Sequence, residues 1–156
     1  MTAEEIADGK SALCRSILES LPDWFAIPES IDRYAAEAAH LPMFGVRIEG
    51  EIAGFATLEK LNPHVAEIHV IAVRQAYHRR GIGRALLAAV ESLCRAGSIE
   101  ILLVKTLAPS SDYPYYVATR EFYLAMGFRP LLESDTIWGP EDPCLLMGKA
   151  ICAQRL

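Results

Sequence analysis

The sequence predicts an α+β fold, a mixed central β-sheet flanked by helices, in one domain over residues 1–156. Three observations carry that prediction. Two stretches near the N-terminus place apolar residues at helical spacing, and short β-branched runs follow them. A strand, a glycine-bearing loop and an amphipathic helix then succeed one another in mid-chain. No internal repeat, low-complexity tract or linker divides the chain.

The elements follow in order. In residues 10–25, Leu13, Ile17, Leu21 and Trp24 recur as one face of a helix. A second helix is predicted over 29–39, entered through Pro28 and carrying Ile31, Tyr34 and Ala38. Residues 43–48 and 52–58 read as strands joined at Glu49-Gly50-Glu51, a hairpin signal. Residues 65–73, mostly apolar with β-branched members, form a third strand. Leu86, Leu87, Val90, Leu93 and Cys94 make one apolar stripe of a helix ending near Gly97. Residues 99–107 read as a buried strand, and 108–116 as a polar loop rich in Tyr and Pro. Residues 119–126 form a short helix, with Gly127 where a left-handed cap would fall. Strands over 128–132 and 145–151 complete the order ααβββαβαββ.

Composition narrows the function. The chain is 52% hydrophobic and 22% charged, an ordinary globular balance that argues against disorder. A formal net charge of -5 argues against a broad electrostatic grip on nucleic acid. No apolar run has the length of a membrane span, and Met1-Thr2-Ala3-Glu4-Glu5 is the reverse of an export signal. A cytoplasmic location is therefore expected. Cys14, Cys94, Cys144 and Cys152 show no metal-ligand spacing and read as reduced thiols. His40, His64, His69 and His78 are scattered, so no metal site is expected.

The most informative stretch is His78-Arg79-Arg80-Gly81-Ile82-Gly83-Arg84-Ala85-Leu86-Leu87. Its glycines let backbone N–H groups approach an anion, and the following helix aims its positive end at the same point. Arg79, Arg80 and Arg84 add charge to an otherwise acidic chain. A plain turn entering a helix would use glycine as readily. A nucleotide P-loop would need Gly-Lys-Ser/Thr, which is absent. A Rossmann fingerprint would need a third glycine where Leu86 stands. A pyrophosphate-bearing cofactor of another kind remains.

Here the sequence resembles the GNAT superfamily of acetyltransferases, whose acetyl-CoA signature is Gln/Arg-x-x-Gly-x-Gly/Ala between a strand and a helix. Residues 78–83 match it except at His78, a position that contributes backbone more than side chain. The preceding strand Ala66-Glu67-Ile68-His69-Val70-Ile71-Ala72-Val73 and the later Phe122-Tyr123-Leu124-Ala125-Met126-Gly127-Phe128 also resemble the family, in the right order. The resemblance covers about residues 46–151. Many members carry an Asn seven positions before that Tyr; here Tyr116 stands there, leaving one cofactor hydrogen bond without its usual donor.

The resemblance implies acetyl-CoA as cosubstrate, an amine acceptor and, since members often pair through sheet edges or C-terminal strands, a homodimer. Its cofactor contacts would come from Ile71, Ala72, Val73, from His78, Arg79, Arg80, Gly81, Ile82, Gly83, Arg84 and Ala85, and from Tyr116 and Thr119. A backbone N–H around 71–73 would hold the oxyanion of the tetrahedral intermediate, where the family's strand splays from its neighbour.

Transfer to an amine needs a base, because an alkylammonium with a pKa of ~10 has no lone pair at neutral pH. Glu67 is the candidate, fourteen positions before Gly81, a spacing shared with the family's histone-acetylating branch. Its plain alternative is a salt-bridged strand Glu. His69 competes as base, because strand alternation puts it on the same face if no bulge intervenes. By resemblance Tyr123 would protonate the departing thiolate; its plain alternative is a core tyrosine. Trp24, Phe25, Tyr34, Tyr113, Tyr115 and Tyr116 are candidates to line the acceptor pocket, with Asp112 or Asp135 to pair with an ammonium. Two other readings stay open: a non-catalytic acyl-CoA-binding or sensing module on this fold, and an unrelated nucleotide-binding or interaction domain.

Overall fold

The computed structural model describes residues 1–152, so the last four positions of the domain expected over 1–156 lie outside the described residues. The element order is β1 (Glu4–Glu5), α1 (Lys10–Glu19), α2 (Pro28–Ala38), β2 (Met43–Ile48), β3 (Glu51–Lys60), β4 (Val65–Val73), α3 (Ile82–Ala96), β5 (Ile101–Leu107), α4 (Val117–Ala125), β6 (Arg129–Ser134) and β7 (Cys144–Ala150). The seven strands form one mixed sheet in the order β1-β2-β3-β4-β5-β7-β6. The predicted class and the predicted helices stand, with two corrections.

The first strand was not foreseen. It is two exposed acidic residues paired with Gly45 and Phe44, too short for an alternation to be read. Second, α1 stops at Glu19 rather than running on to residue 25. The Ser20 hydroxyl donates to the Ile17 carbonyl at 2.6 Å, and Pro22 cannot donate the next helical hydrogen bond. Leu21 and Trp24 therefore belong to the turn into α2. Helix α3 ends as predicted, at Ala96 with Gly97 as its cap (φ -91), and the left-handed residue is the following Ser98 (φ 59). The cap at Gly127 is as predicted, with φ 96. The β2–β3 hairpin closes through Glu49 and Gly50, both left-handed (φ 50 and 83), the twist that two-residue hairpins require.

Two cores sandwich the sheet. Leu86, Leu87, Val90 and Cys94 of α3 pack with Leu102, Val104, Tyr123, Phe128 and Met147. On the other side, Ile17, Leu18 and Ile31 of α1 and α2 pack with Met43, Phe55, Val70 and Ala72. Each such buried aliphatic side chain contributes about 1.5–3 kcal/mol.

Strand β4 changes face between the two cores. Ala66 and Ile68 lie under α3, yet Val70 and Ala72 lie under α1 and α2. Strict alternation cannot do this; a bulge can. Leu58 pairs with Ile68 and Thr57 with Val70, so His69 is the extra residue.

Strands β4 and β5 then part. Their parallel pairing covers only Val65–Glu67 against Ile101–Leu103, although β4 runs on to Val73 and β5 to Leu107. A wedge opens in the middle of the sheet. Glu67 stands at its vertex.

Candidate active site

The open end of the wedge meets the glycine loop. After Val73, a short 3-10 turn (Gln75–Tyr77) leads through His78, Arg79, Arg80 and Gly81 into α3. Arg79 (φ 63) and Gly81 (φ 82) are both left-handed, which curls the backbone just before the helix. A Cβ built on Gly81 would meet nothing within 4 Å, so open space lies in front of this turn. The α3 N-terminus has no side-chain cap, which leaves first-turn N–H groups free for a ligand. Those donors, the helix dipole and the exposed Arg79, Arg80 and Arg84 make a site that fits a pyrophosphate. Gly83 serves packing: its Cβ would stand 3.1 Å from Phe122 Cζ, so glycine lets α3 approach α4. Ile82 is buried in the α3-side core and Ala85 packs at its edge.

His78 does more than lend its backbone. Its Nε2–H donates to the Val73 carbonyl at 2.7 Å, which ties the loop to the end of β4. The ring meets Trp24 edge-on at 5.5 Å.

Glu67 is nearly buried, its side chain 11% exposed, and Lys105 Nζ lies 3.1 Å from its carboxylate. The salt bridge named as its alternative is therefore present, at the vertex of the wedge. Lys105 was not singled out from sequence; a lone lysine in a buried-type strand was the available signal. Cys144 lies beside the same pair, and burial pushes its thiol up.

His69 does not present a free nitrogen. Its Nε2 is 2.5 Å from Glu37 Oε2, its Nδ1 is 3.0 Å from Thr57 Oγ1, and only 6% of the side chain is exposed. The Val70 N–H donates to the same Thr57 Oγ1. The ring pins the β4 bulge to α2. His69 was expected to compete with Glu67 as base, and the structure places its two nitrogens against Glu37 and Thr57.

Tyr123 sits on α4, 4% exposed, packed against Phe128 at 5.5 Å. Burial, and secondarily Tyr116, push its phenol above the ordinary tyrosine range, so it keeps its proton at neutral pH. Tyr116, expected at the cofactor, uses its hydroxyl within the protein. Its hydroxyl donates to the Trp24 carbonyl, and burial, with Tyr34, Tyr113 and Asp142 nearby, pushes it up as well. Thr119 is half-buried in the first turn of α4. Ile71, Ala72 and Val73 lie on the part of β4 that β5 has left, paired only to β3 through Ala56, Phe55 and Gly54.

A strap not readable from sequence crosses beside this site. The Trp24 indole N–H donates to the Tyr115 carbonyl at 3.0 Å, Tyr113 donates to the Asp23 carbonyl, and Tyr116 completes the seam. The α1–α2 turn is thereby fastened to the loop before α4. Phe25 and Tyr34 extend the aromatic cluster, meeting edge-on at 6.4 Å, with Tyr34 5.4 Å from His69. Asp112 and Asp135 line one open groove of about 690 Å³ with Glu133 and Glu141, two carboxylates the sequence reading had passed over. Among the described residues, no three His, Cys, Asp or Glu side chains converge as metal ligands.

Residues 11–128 match the acetyltransferase (GNAT) family. No curated protein matches the sequence. Among solved structures, a GNAT-family protein from Desulfovibrio desulfuricans has a TM-score of 0.82 at 20% identity, over 97% of this chain and 99% of that one. The ribosomal-protein-S18-alanine N-acetyltransferase from Escherichia coli has a TM-score of 0.72 at 20% identity, over 99% and 97% of the two chains. A GNAT family acetyltransferase from Elizabethkingia anophelis, with acetyl-CoA bound, also has a TM-score of 0.72 at 20% identity, over 96% and 97%.

Proposed function

Because the chain belongs to the acetyltransferase (GNAT) family, we propose that it moves an acetyl group from acetyl-CoA directly to a primary amine, with Glu67 as general base. One observation carries the reading: a single wedge between β4 and β5 has Glu67 at its vertex and the uncapped α3 N-terminus at its open end. An anion-anchored, extended cofactor laid along that wedge would bring its reactive end toward a carboxylate. The Elizabethkingia neighbour, similar in fold, binds acetyl-CoA, which supports the cosubstrate.

The reading gives each group a part. Acetyl-CoA supplies an activated thioester carbon. The α3 N–H groups with Arg79, Arg80 and Arg84 hold its pyrophosphate, and the unpaired β4 edge at Ile71, Ala72 and Val73 offers backbone donors and acceptors to the pantetheine and the oxyanion. Glu67 takes the amine proton, directly or through one water. Lys105, 3.1 Å away, orients that carboxylate. Tyr123, buried and protonated, returns a proton to the departing sulfur.

The same reading takes the chain as one domain over 1–156 working in the cytoplasm without a metal. Among the described residues no helix is long and apolar enough to cross a membrane. A homodimer through the C-terminal strands belongs to it too, since β6 is an outer strand exposing Leu131 and Leu132. The acceptor is a small-molecule or protein amine. The Glu67–Lys105 ion pair favours a second reading, a non-catalytic acyl-CoA-binding module, because a carboxylate locked to a lysine would accept no proton.

Calorimetric titration with acetyl-CoA, with ATP and NAD as controls, tests the cofactor. A screen of amines for CoA release then tests the chemistry. Micromolar binding of acetyl-CoA alone, with release driven by one amine class, is expected. Binding without release from any amine would favour the second reading, and no binding would sink both.

A further inference from the structure

Thr106 lies on β5 beyond Leu103, the last β5 residue paired to β4, so it borders the opened wedge. Alternation turns its side chain to the face of Leu102 and Val104, the face that packs with α3, Tyr123 and Phe128. The residue is 2% exposed. Its hydroxyl is the one buried side-chain polar atom among the described residues with no hydrogen-bond partner. The other buried threonine shows what the fold normally arranges: Thr57 is 0% exposed and bonded to His69 and Val70. A valine would fill the Thr106 site with the same shape and no stranded hydroxyl.

We propose that the Thr106 hydroxyl is a cofactor-binding group, which donates a hydrogen bond to a carbonyl oxygen of the acyl-pantetheine arm when that arm occupies the wedge. The inference rests on the acetyl-CoA reading above. Orphaned without ligand and partnered with it, the hydroxyl opposes folding slightly and favours binding.

That opposition gives the test two readouts of different sign. Wild type, Thr106→Val and Thr106→Ser are titrated calorimetrically with acetyl-CoA, with CoA, and with adenosine 3′,5′-bisphosphate, which has the nucleotide end and no pantetheine arm. Each protein is also melted without ligand. Thr106→Val should lose roughly three- to tenfold in affinity for acetyl-CoA and CoA, the range of one hydrogen bond, and nothing for the bisphosphate. Its melting temperature without ligand should match or exceed wild type. Thr106→Ser should bind within about twofold of wild type. Acetyl-CoA binding by Thr106→Val at wild-type strength would overturn the inference, and so would a loss shared by the bisphosphate, which marks damage to the whole site. Should the Val variant fail to fold, Thr106→Ala carries the same comparison. Wild type that binds no acetyl-CoA would overturn the underlying reading, and that failure is visible before any variant is made.

Discussion

The Lys105 ammonium lies 3.1 Å from the Glu67 carboxylate, where β4 and β5 part. Glu67 is nearly buried and Lys105 more open to water, so the cation is the solvent-facing half of the pair. A general base there would act on chemistry rather than on cofactor binding. Glu67→Gln should therefore lower kcat by roughly 10²–10⁴, mainly near neutral pH, and leave acetyl-CoA affinity within about threefold. An unchanged pH–rate profile would remove Glu67 as the base. That outcome would promote His69, whose nitrogens meet Glu37 and Thr57.

Replacing the cation tests the other half of the pair. The lysine contact orients a carboxylate that is nearly buried. Lys105→Met should lower kcat by roughly three- to tenfold with acetyl-CoA affinity little changed, whereas Lys105→Arg should stay near wild type. A Met variant with unchanged kcat would show that the pair serves structure alone. Higher turnover in Lys105→Met would support the view that the lysine silences Glu67.

Much of this site was legible in the sequence because its chemistry is local. The glycine loop, the α3 stripe and the Phe122–Phe128 segment each announce themselves within ten residues, and all three stand where expected. What escaped depends on contacts distant in sequence. The bulge that commits His69 follows from pairing with β3, which period-two alternation cannot register. The Tyr116–Trp24 bond joins residues 92 apart, and Lys105 matters only because β5 lies beside β4. The end of α1 was readable: Pro22 marks it, but the apolar spacing that continues to Trp24 overrode the breaker.

The glycine loop makes a cofactor prediction. Gly81 holds φ 82 with open space where a side chain would project. Gly81→Ala should bring mainly backbone strain, of order 1–2 kcal/mol in stability. Gly81→Asp adds a negative charge facing the pyrophosphate site and should lower acetyl-CoA affinity at least a hundredfold beyond the Ala variant. Titrating both variants, with a melting curve for each, separates strain from repulsion. Wild-type affinity in Gly81→Asp would mean the loop is only a turn.

The Tyr123 phenol is held protonated by burial, which suits it to the donor's part that the proposal gives it. The sign is fixed by the direction of the shift: raised above the ordinary tyrosine value, the phenol stays protonated through the alkaline range where the amine loses its own proton. Tyr123→Phe should keep the packing against Phe128 and cofactor affinity, and reduce kcat by roughly 10²–10⁴. A stopped-flow measurement of thiol release would show the loss in the chemical step. Full activity in the Phe variant would return Tyr123 to the core.

The thiols report on the same fold. Burial pushes Cys14 and Cys94 up to about 11 and raises Cys144 as well, while Cys152 is exposed. Disulfide exchange needs the thiolate, and a group titrating near 11 is only ~0.1% ionised at pH 8. An aromatic disulfide reagent at pH 8 should therefore find one fast thiol in the native protein and all four after denaturation. Cys152→Ser should remove the fast phase without changing activity. Cys144 is the informative exception to watch, because it lies beside Glu67 and Lys105 at the start of β7. A second fast thiol that traces to Cys144 would mean that β7 opens next to the proposed base. Protection of that thiol by acetyl-CoA would then place the cofactor against this end of the wedge.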